Sequence, residues 1–105
     1  MNVGISKKEG GFQVIIRDSV KTIPNEILRL YADVDPATIG HMSHFGFATA
    51  EFRTSIPGGR AIGRAVTVRL PSMDSTLLHK APEFVGPGDV LMIDRAGDMQ
   101  YACLG

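Results

Sequence analysis

Long apolar runs are missing from this chain of 105 residues. No stretch approaches the about 20 residues that a membrane-spanning helix needs. The opening, Met1-Asn-Val-Gly-Ile-Ser-Lys-Lys8, lacks the apolar centre of a secretory signal. There is one cysteine, Cys103, so no internal disulfide framework is available. With no basic residue or histidine beside it, Cys103 reads as a small buried thiol rather than a nucleophile. Tryptophan is absent, and aromatic residues make up 7%. Charge of either sign is not in excess, with 11 basic and 11 acidic residues. That balance removes the basic footprint expected of a nucleic-acid or acidic-membrane binder. The expected setting is cytoplasmic, with neither a membrane nor a nucleic-acid partner.

What remains is a small single-domain quantity of chain in which 44% of residues are hydrophobic, enough for a core. Neither repeats nor low-complexity segments interrupt it. Residues 1–11 are polar and glycine-containing and read as a mobile or loosely docked arm, with a short strand or extended segment over 12–16. Residues 22–31 read as a helix, with Pro24 at its first position, Glu26 at the positive end of the dipole, and Ile27, Leu28, Leu30 and Tyr31 as the apolar face. Asp35-Pro36 predicts a second helix start, carrying Ile39, Met42 and Phe45 inward and ending near Gly46. Residues 47–52 are ambiguous, and Ile56-Pro-Gly-Gly59 is turn material.

The clearest strand is 61–70, where Val66, Val68 and Leu70 alternate with Thr67 and Arg69. Asp74 or Ser72 can cap a helix through Leu77, Leu78 and Phe84, with Pro82 kinking or ending it. Gly86-Pro-Gly88 turns the chain into a strand over 90–93, whose unbroken apolar run suggests cover on both faces. The order strand, helix, strand, helix predicts an α/β fold, a mainly parallel sheet with crossover helices.

The strand over 90–93 runs into Asp94-Arg-Ala-Gly97-Asp98, and strand ends of this kind are where α/β folds place ligand-contacting groups. Gly97 permits a sharp turn and close backbone approach. The first N–H groups of the predicted following helix, at Met99, Gln100 and Tyr101, would lack partners and could hold a carboxylate or phosphate. Asp98 has two readings: a plain cap on those amides, or a carboxylate near a divalent metal or its water. Asp94 either contacts ligand or holds the loop by bonding its amides. Arg95 could bind an anion, although an exposed loop arginine is the simpler reading. His41 and His44 share a helix face and could converge on a metal, but no glutamate or cysteine accompanies them, which favours an interface face. His79 reads as half-buried packing, and Arg60, Arg64 and Arg69 as solvated or intersubunit charges.

Four motifs stand in order: Gly63-Arg-Ala-Val-Thr-Val68, Leu77-Leu-His-Lys-Ala81, Pro87-Gly-Asp-Val-Leu-Met-Ile-Asp94, and Gly97-Asp98 with Ala102 and Gly105. Together they resemble the RraA-like family. Its members include 4-hydroxy-4-methyl-2-oxoglutarate aldolases with oxaloacetate decarboxylase activity, and regulators of ribonuclease E activity. The resemblance implies that 22–105 is the N-terminal part of one swivelling β/β/α-type domain, with 1–21 as an N-terminal arm. It implies a class II mechanism in which magnesium or manganese polarises a 2-oxo acid and stabilises the pyruvate enolate. It places the substrate carboxylate at Gly97, Met99 and Gln100, and gives Asp98 a catalytic role, reaching the metal through water. It also implies a homotrimer or hexamer. The family's Arg-Asp pair, which holds the substrate oxygen and ligates the metal directly, follows a glycine that Gly105 resembles. These 105 residues are therefore expected to release little or no pyruvate alone. The other role the resemblance implies is that of a non-catalytic regulator binding a ribonuclease or helicase partner.

Overall fold

A computed structural model of the chain describes residues 2–8, 11–17, 22–71, 74–98 and 100. The described residues form four strands and three α-helices: β1 (Asn2–Lys8), β2 (Gly11–Arg17), α1 (Asn25–Leu30), α2 (Pro36–Gly40), β3 (Arg64–Arg69), α3 (Thr76–Lys80) and β4 (Asp89–Asp94). The strands form one sheet in the order β2-β1-β3-β4. β3 runs parallel to both β1 and β4, while β1 and β2 pair antiparallel. The fold is thus α/β with a small, mainly parallel sheet. The chain divides into two compact units, residues 23–62 and the sheet-bearing remainder.

In the sheet-bearing unit, β3 obeys its alternation: Val66, Val68 and Leu70 are buried, while Arg69 is exposed. Val66 pairs with Leu91 and Val68 with Ile93, so these side chains share one face. On that face Val68, Leu70, Leu77 and Ala81 form the core, with Leu78, Phe84, Leu91 and Ile93 against it. α3 therefore lies over the β3–β4 pair. Its start is fixed by Asp74, whose Oδ1 accepts the Thr76 N–H at 2.9 Å. The α-helix stops at Lys80, and Ala81–Phe84 continues as a 3-10 turn containing Pro82. This is the break expected of a residue without an N–H. β4 matches its expected span, but Val90, Leu91, Met92 and Ile93 are all half-buried rather than covered on both faces. Among the described residues β4 is an edge strand, so it has a neighbour on one side only.

Part of the stretch 1–11, expected as a mobile or loosely docked arm, is strand instead. Residues 2–8 form a strand whose Asn2 and Val3 pair with Thr67 and Val68 of β3. The short strand or extended segment expected over 12–16 lies within β2, which pairs along β1 from Asn2 opposite Arg17 to Lys8 opposite Gly11. The signal was Val3 and Ile5 alternating with polar residues, which the glycines and lysines outweighed.

The unit 23–62 is mostly turns. Pro24 is the residue before α1 rather than its first helical position, and its carbonyl accepts from Ile27 and Leu28. The expected apolar face is not covered, since Leu30 is 73% exposed and α1 buries no residue. α2 starts as expected, with Asp35 Oδ1 accepting the Ala37 N–H at 2.8 Å and Pro36 in the first turn. It ends at Gly40, not near Gly46, and Met42 and Phe45 are 86% and 87% exposed rather than inward. Two features stop it: glycine is a weak helix former, and Ser43 Oγ takes the Phe45 N–H for a local turn. Residues 47–52 contain neither helix nor strand. The expected turn at 56–59 is present, closed by Gly59 N–H to the Ile56 carbonyl at 2.9 Å. Arg60 is exposed, as a solvated charge would be, and also donates to the carbonyls of Tyr31 and Val34 beyond α1.

No helix among the described residues is long and apolar enough to cross a membrane.

At the start of β3, Arg64 and Asp89 are register partners joined twice, Nε to Oδ1 at 2.9 Å and Nη2 to Oδ2 at 2.7 Å. This corrects the reading of Arg64 as a solvated charge. Asp89 Oδ2 also accepts the Gly86 N–H, which closes the turn before β4. The Arg64 guanidinium, and then the Gly86 amide, hold the Asp89 carboxyl below the usual carboxylate range. A depressed native pKa contributes stability above the unfolded value and loses it as pH falls through the native one. Asp89→Asn is therefore expected to lower the urea midpoint at neutral pH, with the deficit shrinking below about pH 4. Urea titrations of both proteins across acid pH measure this.

Candidate functional site

The corner after β4 is held by its own aspartates. The chain leaves the ladder at Asp94, whose carbonyl accepts the Leu70 N–H at 2.8 Å. Asp94 Oδ1 accepts the Ala96 N–H at 2.9 Å, and Oδ2 lies 3.3 Å from Arg69 Nε. Of the two open readings of Asp94, the loop-holding one is present. Ala96 then adopts φ +51° and Gly97 φ +84°. Glycine enters the left-handed region freely, whereas alanine there costs about 1–2 kcal/mol. The reversal brings the Asp98 N–H back to the Arg95 carbonyl at 3.0 Å. Asp98 is half-buried, and its Oδ1 accepts the Gln100 N–H at 2.9 Å.

The corner thus brings Gly97, Asp98 and Gln100 together at the carboxyl end of β4. Met99, also assigned to the carboxylate site, lies outside the described residues, as do Tyr101, Cys103 and the helix expected after Asp98. The Gln100 amide, assigned to a substrate carboxylate, here donates to the Asp98 carboxylate, which is the capping contact. An external carboxylate at that amide would take the place of Asp98 Oδ1.

The described residues do not fit direct coordination of a divalent ion. Among them no three His, Cys, Asp or Glu side chains gather, and Asp98 has one oxygen already engaged by an amide. His41 and His44 are both exposed and find no third donor among the described residues. His79, expected as packing, is exposed in the last turn of α3. Arg95, expected to be exposed, is half-buried, and its Nε is buried without a hydrogen-bond partner among the described residues. The Arg64–Asp89 pair went unseen because cross-strand register is not visible in a single strand's pattern.

Comparison with curated proteins, and with solved structures, returned no match. Comparison with family models matched residues 31–105 to the model described as RraA-like, Aldolase/RraA. The matched span includes β3, α3, β4 and the corner.

Proposed function

Because this chain belongs to the RraA-like family (Aldolase/RraA), we propose that its corner takes part in carbon–carbon bond cleavage of 2-oxo acids with release of pyruvate. 4-Hydroxy-4-methyl-2-oxoglutarate and oxaloacetate are the substrates in view. The observation that carries the reading is the Gly97–Asp98 corner at the carboxyl end of a parallel strand, inside the matched span. The Gln100 amide, which Asp98 Oδ1 occupies, suits a substrate carboxylate in its place, and a half-buried aspartate beside it can orient a water. In this reading magnesium or manganese is the cofactor, its direct ligands lie outside the described residues, and Asp98 meets it through water. The assembly is a homotrimer or hexamer.

Downstream of the corner, these 105 residues contain no Arg-Asp pair. The expected result is therefore split. In calorimetric titration with magnesium present, pyruvate binds the chain, and Asp98→Asn changes that binding. In a coupled assay with oxaloacetate, turnover stays at the metal-only background. Absence of pyruvate binding at any magnesium concentration sinks the carboxylate-site reading. Selective retention of a ribonuclease by the immobilised chain, without effect of pyruvate, supports the regulator in its place.

A further inference from the structure

We infer that Asp94, braced by Arg69, is a positioning residue that sets the backbone of the corner carrying Asp98, and with it the corner's hold on a carboxylate. The second half of this inference rests on the carboxylate-site reading above. Asp94 closes a ladder in which β3 and β4 pair continuously from Arg64 opposite Asp89 to Arg69 opposite Asp94. Its backbone is fixed by Leu70 and its carboxylate points onward to Ala96. Ala96 is the non-glycine residue with positive φ among those described. The bond from Asp94 thus lands on the residue whose conformation most needs support. Ala96 and Gly97 are left-handed in succession, and the pair delivers the Asp98 N–H to Arg95 and the Gln100 N–H to Asp98. A change at Ala96 would re-aim the Asp98 and Gln100 amides.

Arg69 occupies Asp94 Oδ2 and leaves Oδ1 for the loop. The pair is 71% and 59% exposed, and exposed pairs contribute little to stability. Its consequence is orientation of the carboxylate, not strength. The neighbouring strands also separate the two roles, because the core face of β3 and β4 is built from Val68, Leu70, Leu91 and Ile93. Removing the Asp94 carboxylate leaves that face intact.

The test uses amide NMR of the 105-residue chain, with pyruvate and magnesium as the probe. In Asp94→Ala, the Ala96 amide should lose protection from hydrogen exchange while the β3 and β4 amides keep theirs. The pyruvate Kd, read from shifts at Gly97 and Gln100, should rise about fivefold, the equivalent of an unsupported left-handed alanine. Asp94→Asn retains an oxygen acceptor for the Ala96 N–H and should keep both properties. Asp94→Ala combined with Ala96→Gly should return the Kd to within about twofold of the parent, because glycine holds the left-handed conformation unaided. Parent-like pyruvate affinity in Asp94→Ala overturns the inference, and so does failure of Ala96→Gly to recover binding. If the parent chain shows no pyruvate-induced shifts while Ala96 protection still follows Asp94, the positioning role stands and the carboxylate reading falls.

Discussion

Gly63→Ala is expected to destabilise the sheet-bearing unit by about 3 kcal/mol or more, beyond the usual range for an extra methyl group in a tight site. Gly63 stands immediately before β3, beside the turn that opens β4. A Cβ there would press on the Gly88 carbonyl oxygen closer than real Cβ atoms come, and would sit 3.0 Å from Val90 Cγ2 and 3.1 Å from the Gly88 carbonyl carbon. Two of these three contacts are backbone, so a rotamer change cannot relieve them. The strands must separate at their first pair, where Arg64 meets Asp89. That separation removes the guanidinium from a carboxylate whose side chain is 9% exposed, and a charge left there without its partner is costly. Gly97→Ala makes an instructive comparison. Among the described residues nothing lies within 4 Å of a Cβ at Gly97, and its φ is +84°, so the conformational cost is about 1 kcal/mol. Urea midpoints of the two variants against the parent give the ranking. With domain stabilities of about 5–15 kcal/mol, the Gly63 variant should show a large loss of folded population on mild heating.

The same comparison shows why some of the architecture was legible in the sequence. Local signals were reliable where one residue decides the conformation. Pro87 followed by Gly88, with φ +85°, forms the turn before β4. Asp74 captures the first amide of α3, and Pro82 ends it. β3 was legible because its alternation runs through Val66, Val68 and Leu70 and one face is buried. β1 was missed because its parallel partner, β3, lies far along the chain, where Asn2 and Val3 pair with Thr67 and Val68. Long-range pairing has no local signature beyond alternation, and Val3 and Ile5 offered only two turns of it. The inward faces assigned to Leu30, Met42 and Phe45 failed for a different reason. Helical spacing identifies side chains that could share a face, but it does not supply a surface to bury them against.

At the corner, the position was legible, and the wiring only as alternatives. Gly97-Asp98 after an apolar strand is a pattern of residue types, and the chain turns there as that pattern requires. Which amide each aspartate takes depends on backbone angles that a sequence does not display. The left-handed Ala96 is the clearest instance. Alanine gives no advance notice of that conformation, and it persists because neighbouring contacts support it. The family-level reading and the local physics therefore contribute different things. The family match identifies the region as RraA-like, and the hydrogen bonds identify Asp94 as the residue that holds it in shape.

Leu77→Ala is expected to cost about 2–5 kcal/mol, the range for emptying a leucine site in a packed core. Leu77 is 2% exposed and is the largest fully buried side chain with Val66 and Val68. It is the one buried residue of α3, and its neighbours Val68, Leu70 and Ala81 come from the strand, the strand's end and the following 3-10 turn. Ala81 is too small to fill the space, and the half-buried Leu78, Phe84, Leu91 and Ile93 are already committed to the rim. Collapse of the cavity would require α3 to slide on the sheet, and Ala81, in the 3-10 turn that follows it directly, is itself buried in the same core. The cost should therefore lie in the upper part of that range. Leu77→Met nearly conserves volume and should cost less than about 1.5 kcal/mol. Urea unfolding followed by far-ultraviolet circular dichroism reports both. The consequence should reach the corner, because Ile93 pairs with Val68 and immediately precedes Asp94. In Leu77→Ala the Ala96 amide should exchange faster even at urea concentrations where the sheet is still formed. Unchanged exchange at Ala96, despite the lost stability, would mean that the Arg69–Asp94 contact and the Leu70–Asp94 bond suffice to hold the corner without the core beneath it.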